Sequence, residues 1–139
     1  MGVSKIQQQH KHVNDTSLAC LTDTIYFEAR GETKAGMLAV ANVVVNRTKQ
    51  KSFPSTVCEV VQQKGQFSWV GMGYKVVDFI SYNRAKLIAY RVLRGVESDP
   101  TLGATHFHTT DLAVDWSTDK IRKTVIIGSH QFYKQISAS

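Results

Sequence analysis

From Leu18 onward the apolar positions fall at helical intervals. Leu18, Leu21 and Ile25 follow Asn14 or Asp15, either of which is a good N-cap, and the pattern runs to Arg30 and stops at Gly31. Met37, Val40, Ala41, Val44 and Val45 keep the same period to about Thr48, apolar enough to predict a central buried helix. Phe53-Pro54 interrupts it, and Thr56 with Glu59 three residues later forms a capping box for a short helix carrying Val57, Val60 and Val61, ended by Gly65. Residues 65–77, GQFSWVGMGYKVV, interleave glycines with Phe67, Trp69, Met72 and Tyr74, which predicts a loop or short ribbon with exposed aromatic faces. Asp78 caps a longer helix with Phe79, Tyr82, Ala85, Ile88 or Ala89, and Val92 on one face, closed by Gly95; Asp99-Pro100 is a turn.

The period then changes. ATHFHT alternates, TVIIG is β-branched, and HQFYK alternates again, with Gly128-Ser129 supplying the two-residue signal of a II′ hairpin. The prediction is one α+β domain over residues 14–139, a helical body followed by a small antiparallel sheet from the C-terminal third. Residues 1–13 are polar and unpatterned and read as a loose arm.

Composition narrows the class. At 139 residues, 42% hydrophobic and 20% charged, the chain has enough apolar surface for one core. No apolar run approaches the roughly 20 residues that cross a bilayer, so stable membrane insertion is not expected. The first residues have charge but no apolar stretch, and do not read as a signal peptide. A formal charge of +6 favours polyanionic partners such as a cell wall. The lysines and arginines are scattered, so no nucleic-acid stripe is visible. Cys20 and Cys58 lie inside helix-like patterns without CxxC spacing, and the expectation is two buried free thiols.

Within YFEARGE one residue stands out. At 100° per residue Glu28 lies about 20° from Leu21 and about 60° from Ile25, on the face the helix buries. Loss of water raises a carboxyl's pKa towards neutrality, the state a general acid needs. The competing reading is a glutamate held by Arg30 or by a backbone donor. Glu32, just past Gly31, is either a second catalytic carboxylate or a charge favouring the next helix dipole.

Five blocks, IYFEARGE, AVANVVVNR, GQFSW, ATHFHT and IGSHQFYK, follow one another between about residues 18 and 134. In order and spacing they resemble the spore-cortex-lytic and cell-wall-hydrolase family of peptidoglycan hydrolases. The resemblance implies a lysozyme-like fold related to lytic transglycosylases, and cleavage of the bond between N-acetylmuramic acid and N-acetylglucosamine. It makes Glu28, the first glutamate of E-A-x-G-E, the catalytic acid, and it implies no metal or cofactor.

Sugar contacts are expected from Gln66, Phe67 and Ser68, from Trp69 and Tyr74 by stacking, and from His106, His108 and His130. Asn46 and Arg47, at the end of the second helix, are in reach of the cleft, although Arg47 also suits a helix C-terminus. His106 and His108 alternate on a strand and, with His130, would give three zinc ligands, the basis of an alternative amidase reading. The aspartates of the loop DLAVDWSTDK have no spacing that assigns them to the site. A lone acid fits a transglycosylase, with hydrolysis supported by Glu32 or an aspartate as the competitor. Spore enzymes of the family usually carry a signal peptide and a wall-binding module. The expectation here is a small monomeric phage endolysin, held in the host cytoplasm until a membrane lesion admits it to the peptidoglycan; a prophage-derived or stored autolysin reads the same.

Overall fold

The structure, a computed structural model, describes residues 12–136, so most of the arm expected at residues 1–13 lies outside the described residues. Helix α1 spans Asp15–Ala29, and the Asn14 side chain accepts from Ser17 N at 3.0 Å to cap it. Leu21 and Ile25 are fully buried on its inner face; burying such a side chain contributes about 1.5–3 kcal/mol. The helix ends one residue earlier than the spacing predicts: Arg30 is the C-cap, and Gly31 takes φ +93°. That positive φ turns the chain into α2, Lys34–Thr48, capped by Thr33. Every residue from Gly36 to Val44 is buried, so α2 is the central helix the sequence predicts.

Helix α3, Val57–Val61, begins with the Thr56–Glu59 cap. Helix α4 spans Phe79–Arg94, capped by Asp78 and ended by Gly95 in the left-handed region. Its inner face carries Ala85, Ile88, Ala89 and Val92. Phe79 does not belong to that face. The first turn projects past the body, leaving Phe79 69% and Ile80 86% exposed. Helices α1, α2, α3 and α4 enclose one apolar core.

Strands β1 (His106–Thr109), β2 (Ile121–Ile127) and β3 (His130–Gln135) form an antiparallel sheet in the order β1-β3-β2. Gly128 has φ +56° and Ser129 has no positive φ, the pattern of a II′ turn. Phe107 faces Phe132 across the β1–β3 ladder, and the pair packs with Ala39 and Val43 of α2. The α+β class and the late sheet are as the alternating segments predict.

A second expectation is overturned in the fold. Cys20 and Cys58 are not free thiols; they form a disulfide with a Cα–Cα distance of 5.4 Å. Helix α3 packs across α1, and this crossing sets the two residues side by side although 38 positions separate them. Periodicity within each helix carries no information about that crossing.

Candidate active site

Helix α1 delivers Glu28 to the rim of the core, partly buried, where it lines an open cleft of about 240 Å³ between the helical body and the sheet. Burial raises its pKa above the ordinary 4.5, and the Trp69 indole N–H offsets part of that rise. Desolvation outweighs that donor, so the carboxyl stays raised. Arg30 does not hold Glu28. Its guanidinium bonds the Tyr26 hydroxyl and lies over that ring at 4.4 Å, which removes the ion-pair reading.

Two pH dependences follow. A general acid must be protonated, so kcat/KM should fall as pH rises through the raised Glu28 pKa. The folded state also binds this proton more tightly than the unfolded chain. Stability should therefore decline as pH rises from about 4.5 through the raised value and then level. Glu28→Gln lacks the group, so its stability relative to wild type should grow over that window. Urea midpoints measured across pH that run parallel for the two proteins would contradict the assignment.

The other walls come from four segments distant in sequence. Arg47, in the last turn of α2, donates from Nε to Thr105 O at 2.7 Å and from Nη1 to Gln66 Oε1 at 3.0 Å, tying β1's approach and the glycine-rich loop to one point. Its neighbour Asn46 anchors the 99–104 turn, donating to Asp99 Oδ2 and Ala104 O, both at 2.9 Å. Gln66 and Phe67 line the cleft as expected, but Phe67 is buried, contrary to the exposed faces predicted for its loop; Tyr74 is 62% exposed. His106 also lines the cleft, its Nδ1 2.9 Å from Thr105 Oγ1. Burial and then the Arg47 charge lower its pKa to about 4, so it is neutral at neutral pH.

Trp116, like Phe107, is a wall residue that the sequence reading missed as a sugar contact. Its loop has no periodicity, and its position depends on a buried network. His108 Nδ1–H donates to Thr109 O at 2.9 Å, so Nε2 accepts from the Tyr133 hydroxyl at 2.7 Å. The Tyr133 oxygen in turn accepts from Trp116 N at 3.3 Å, and the Trp116 and His108 rings meet edge to face at 4.6 Å. His108 therefore supports the cleft from behind and does not line it.

The remaining candidates do not line this cleft. Trp69 and Tyr74 line a neighbouring cavity of about 200 Å³, where Trp69 stacks on Phe27 at 5.0 Å. Ser68 is exposed outside both. His130 pairs with Thr109, on the face opposite His106 and His108, and packs edge to face on Phe107 at 5.0 Å. The three histidines thus do not converge, and among the described residues no cluster of three ligands forms. Of the loop aspartates, Asp115 bonds Ser117 N at 2.9 Å and pairs with Lys123 at 3.5 Å.

Glu32 accepts from Ser129 Oγ at 2.9 Å and from Ser129 N at 3.3 Å, fastening the β2–β3 turn to the loop after α1. A Cβ on Gly128 would lie 2.3 Å from its Oε1, so the turn approaches this closely only with glycine. Since an amide oxygen can still accept from Ser129, Glu32→Gln should keep lysis of purified wall within about tenfold of wild type. A loss equal to that of Glu28→Gln would make Glu32 a catalytic partner.

Residues 31–133 match the model of the Cell Wall Hydrolase family. The spore cortex-lytic enzyme of Bacillus cereus is 33% identical over 124 residues, covering 87% of this chain and 44% of that protein. That of Halalkalibacterium halodurans is 32% identical over 124 residues, covering 86% and 35%. The chain thus spans less than half the length of these curated relatives. The catalytic domain of the germination-specific lytic transglycosylase SleB from Bacillus anthracis is similar in structure, with TM-score 0.69, 28% identity, and coverage of 89% of this chain and 98% of that one. The catalytic domain of Bacillus cereus SleB gives TM-score 0.70 at 28% identity, with coverage of 89% and 94%. The fold is the lysozyme-like one expected. With a match running from Gly31 into β3, and this fold around it, the chain belongs to the cell wall hydrolase family.

Proposed function

We propose that the chain cleaves the bond between N-acetylmuramic acid and N-acetylglucosamine in peptidoglycan as a lytic transglycosylase. One observation carries this reading: Glu28 is the only carboxylate among the described residues that line the cleft, and it is desolvated. Glu32 is engaged at the Ser129 turn, Asp99 in its own loop, and Asp115 at Lys123. An inverting or retaining hydrolase needs a second carboxylate facing the first. With a single acid, Glu28 protonates the glycosidic oxygen, and its conjugate base then takes the proton from the muramic C6 hydroxyl. That hydroxyl closes on C1 with the advantage of effective molarity. Neutral His106 and Gln66 offer hydrogen bonds to the sugar, and Trp116 an apolar face.

Digestion of purified peptidoglycan tests the reading. Soluble glycan fragments with stem peptides still attached are expected; free stem peptides would instead indicate an amidase. The Cys20–Cys58 disulfide supports work in an oxidising compartment, outside a cytoplasm. The finer setting, host lysis as a phage endolysin, predicts that co-expression with a membrane-lesion protein lyses the culture. Cells that stay intact despite active enzyme would contradict it.

A further inference from the structure

The cleft holds a buried cation with no counter-ion among the described residues. Arg47 is 5% exposed, and burial lowers its pKa to about 10. Its partners are neutral: Thr105 O, Gln66 Oε1, and the Phe53 ring, whose centroid is 5.0 Å from the guanidinium. Among the described residues no carboxylate reaches ion-pair distance of it. A desolvated charge is costly unless an anion meets it. A neutral amide can supply single donors to Thr105 and Gln66, so tying the two segments does not in itself call for a charge. Nε and Nη1 are engaged, which leaves Nη2 with no hydrogen bond among the described residues, on a side chain that lines the same cleft as Glu28. The guanidinium fork is matched to a carboxylate. His106 beside it is neutral and cannot serve as the anion.

We propose that Arg47 is the carboxylate-recognising residue of the cleft, and that the anion it awaits belongs to the substrate. On the glycan reading above, from which the identity of the polymer is taken, that group is carried by the muramic acid residue. It is either the carboxylate of the lactyl ether arm, where no peptide is attached, or one on the attached amino acids. Arg47 thus distinguishes muramic acid from its neighbour, which bears no acid, and sets the register of the strand against Glu28.

Binding, not cleavage, tests this, using the Glu28→Gln protein so that strands stay whole. Four ligands are compared: glycan strands stripped of peptide, strands bearing peptide, and the methyl ester of each. Esterification should weaken binding by about 10- to 100-fold for the strand that carries the recognised acid, which also tells the two sources apart. Adding Arg47→Gln should bring acid and ester to equal affinity, and Arg47→Lys should keep part of the preference. The comparison of ligands needs no change at Arg47, so it stands even if those variants fold poorly. Equal binding of acid and ester by Glu28→Gln overturns the proposal alone. A preference that survives Arg47→Gln also overturns it, because the +6 surface is then the source of attraction. No binding to any strand overturns the glycan reading together with the proposal.

Discussion

Glu28→Gln is expected to fold as wild type and to lyse purified peptidoglycan at least about 100-fold more slowly. Glutamine has nearly the shape of a protonated glutamate, so packing near Trp69 and Phe67 is preserved, while the transferable proton is lost. The surroundings make the effect large. No other acid among the described residues lines the cleft, and burial outweighs the Trp69 indole, the donor that favours the charged form. Turbidity loss and thermal midpoint measured on one preparation check both halves. A folded variant with wild-type turnover would remove Glu28 from the chemistry.

The largest stability effect is expected at the disulfide. Closing a loop across 38 positions restricts the unfolded chain by about 4 kcal/mol in the chain-entropy model, and native bridges in small domains contribute in that range. Replacing Cys20 and Cys58 with serine should therefore cost about 2–4 kcal/mol, lowering the midpoint by on the order of 10 °C. Lysis well below the new midpoint should persist, because Glu28 lies two turns further along α1 and is positioned by Leu21 and Ile25 as well. An unchanged midpoint would show that the bridge does not hold α3 to α1.

The helices were legible because their signals are local. Asn14, Thr56, Asp78 and Gly95 do what their residue types favour, and the 3.6 period identified the inner face of α1 and the apolar character of α2. Glu28 was legible for the same reason: an acidic residue in an apolar period is visible before any fold is known. What depends on one element meeting another was not. The disulfide needs the α1–α3 crossing, and the burial of Phe67 needs the body beneath its loop. Alternation placed His106 and His108 on one face, but only the β1–β3 register puts His130 on the other. Trp116 reaches the cleft through Tyr133 and His108, a link with no trace in its own loop. For Arg47 the sequence supports both a helix-end cation and a residue within reach of the cleft; its isolation from every carboxylate among the described residues is a property of the packed site.

The central claim is that Glu28 acts alone, with the substrate's own hydroxyl in place of water. Digestion of purified peptidoglycan in ¹⁸O-labelled water, followed by mass analysis of the new glycan ends, tests it directly. The account predicts 1,6-anhydromuramic ends without incorporated label, absent when Glu28→Gln replaces the wild type. Labelled reducing muramic ends as the main product would contradict it and make the enzyme a hydrolytic muramidase.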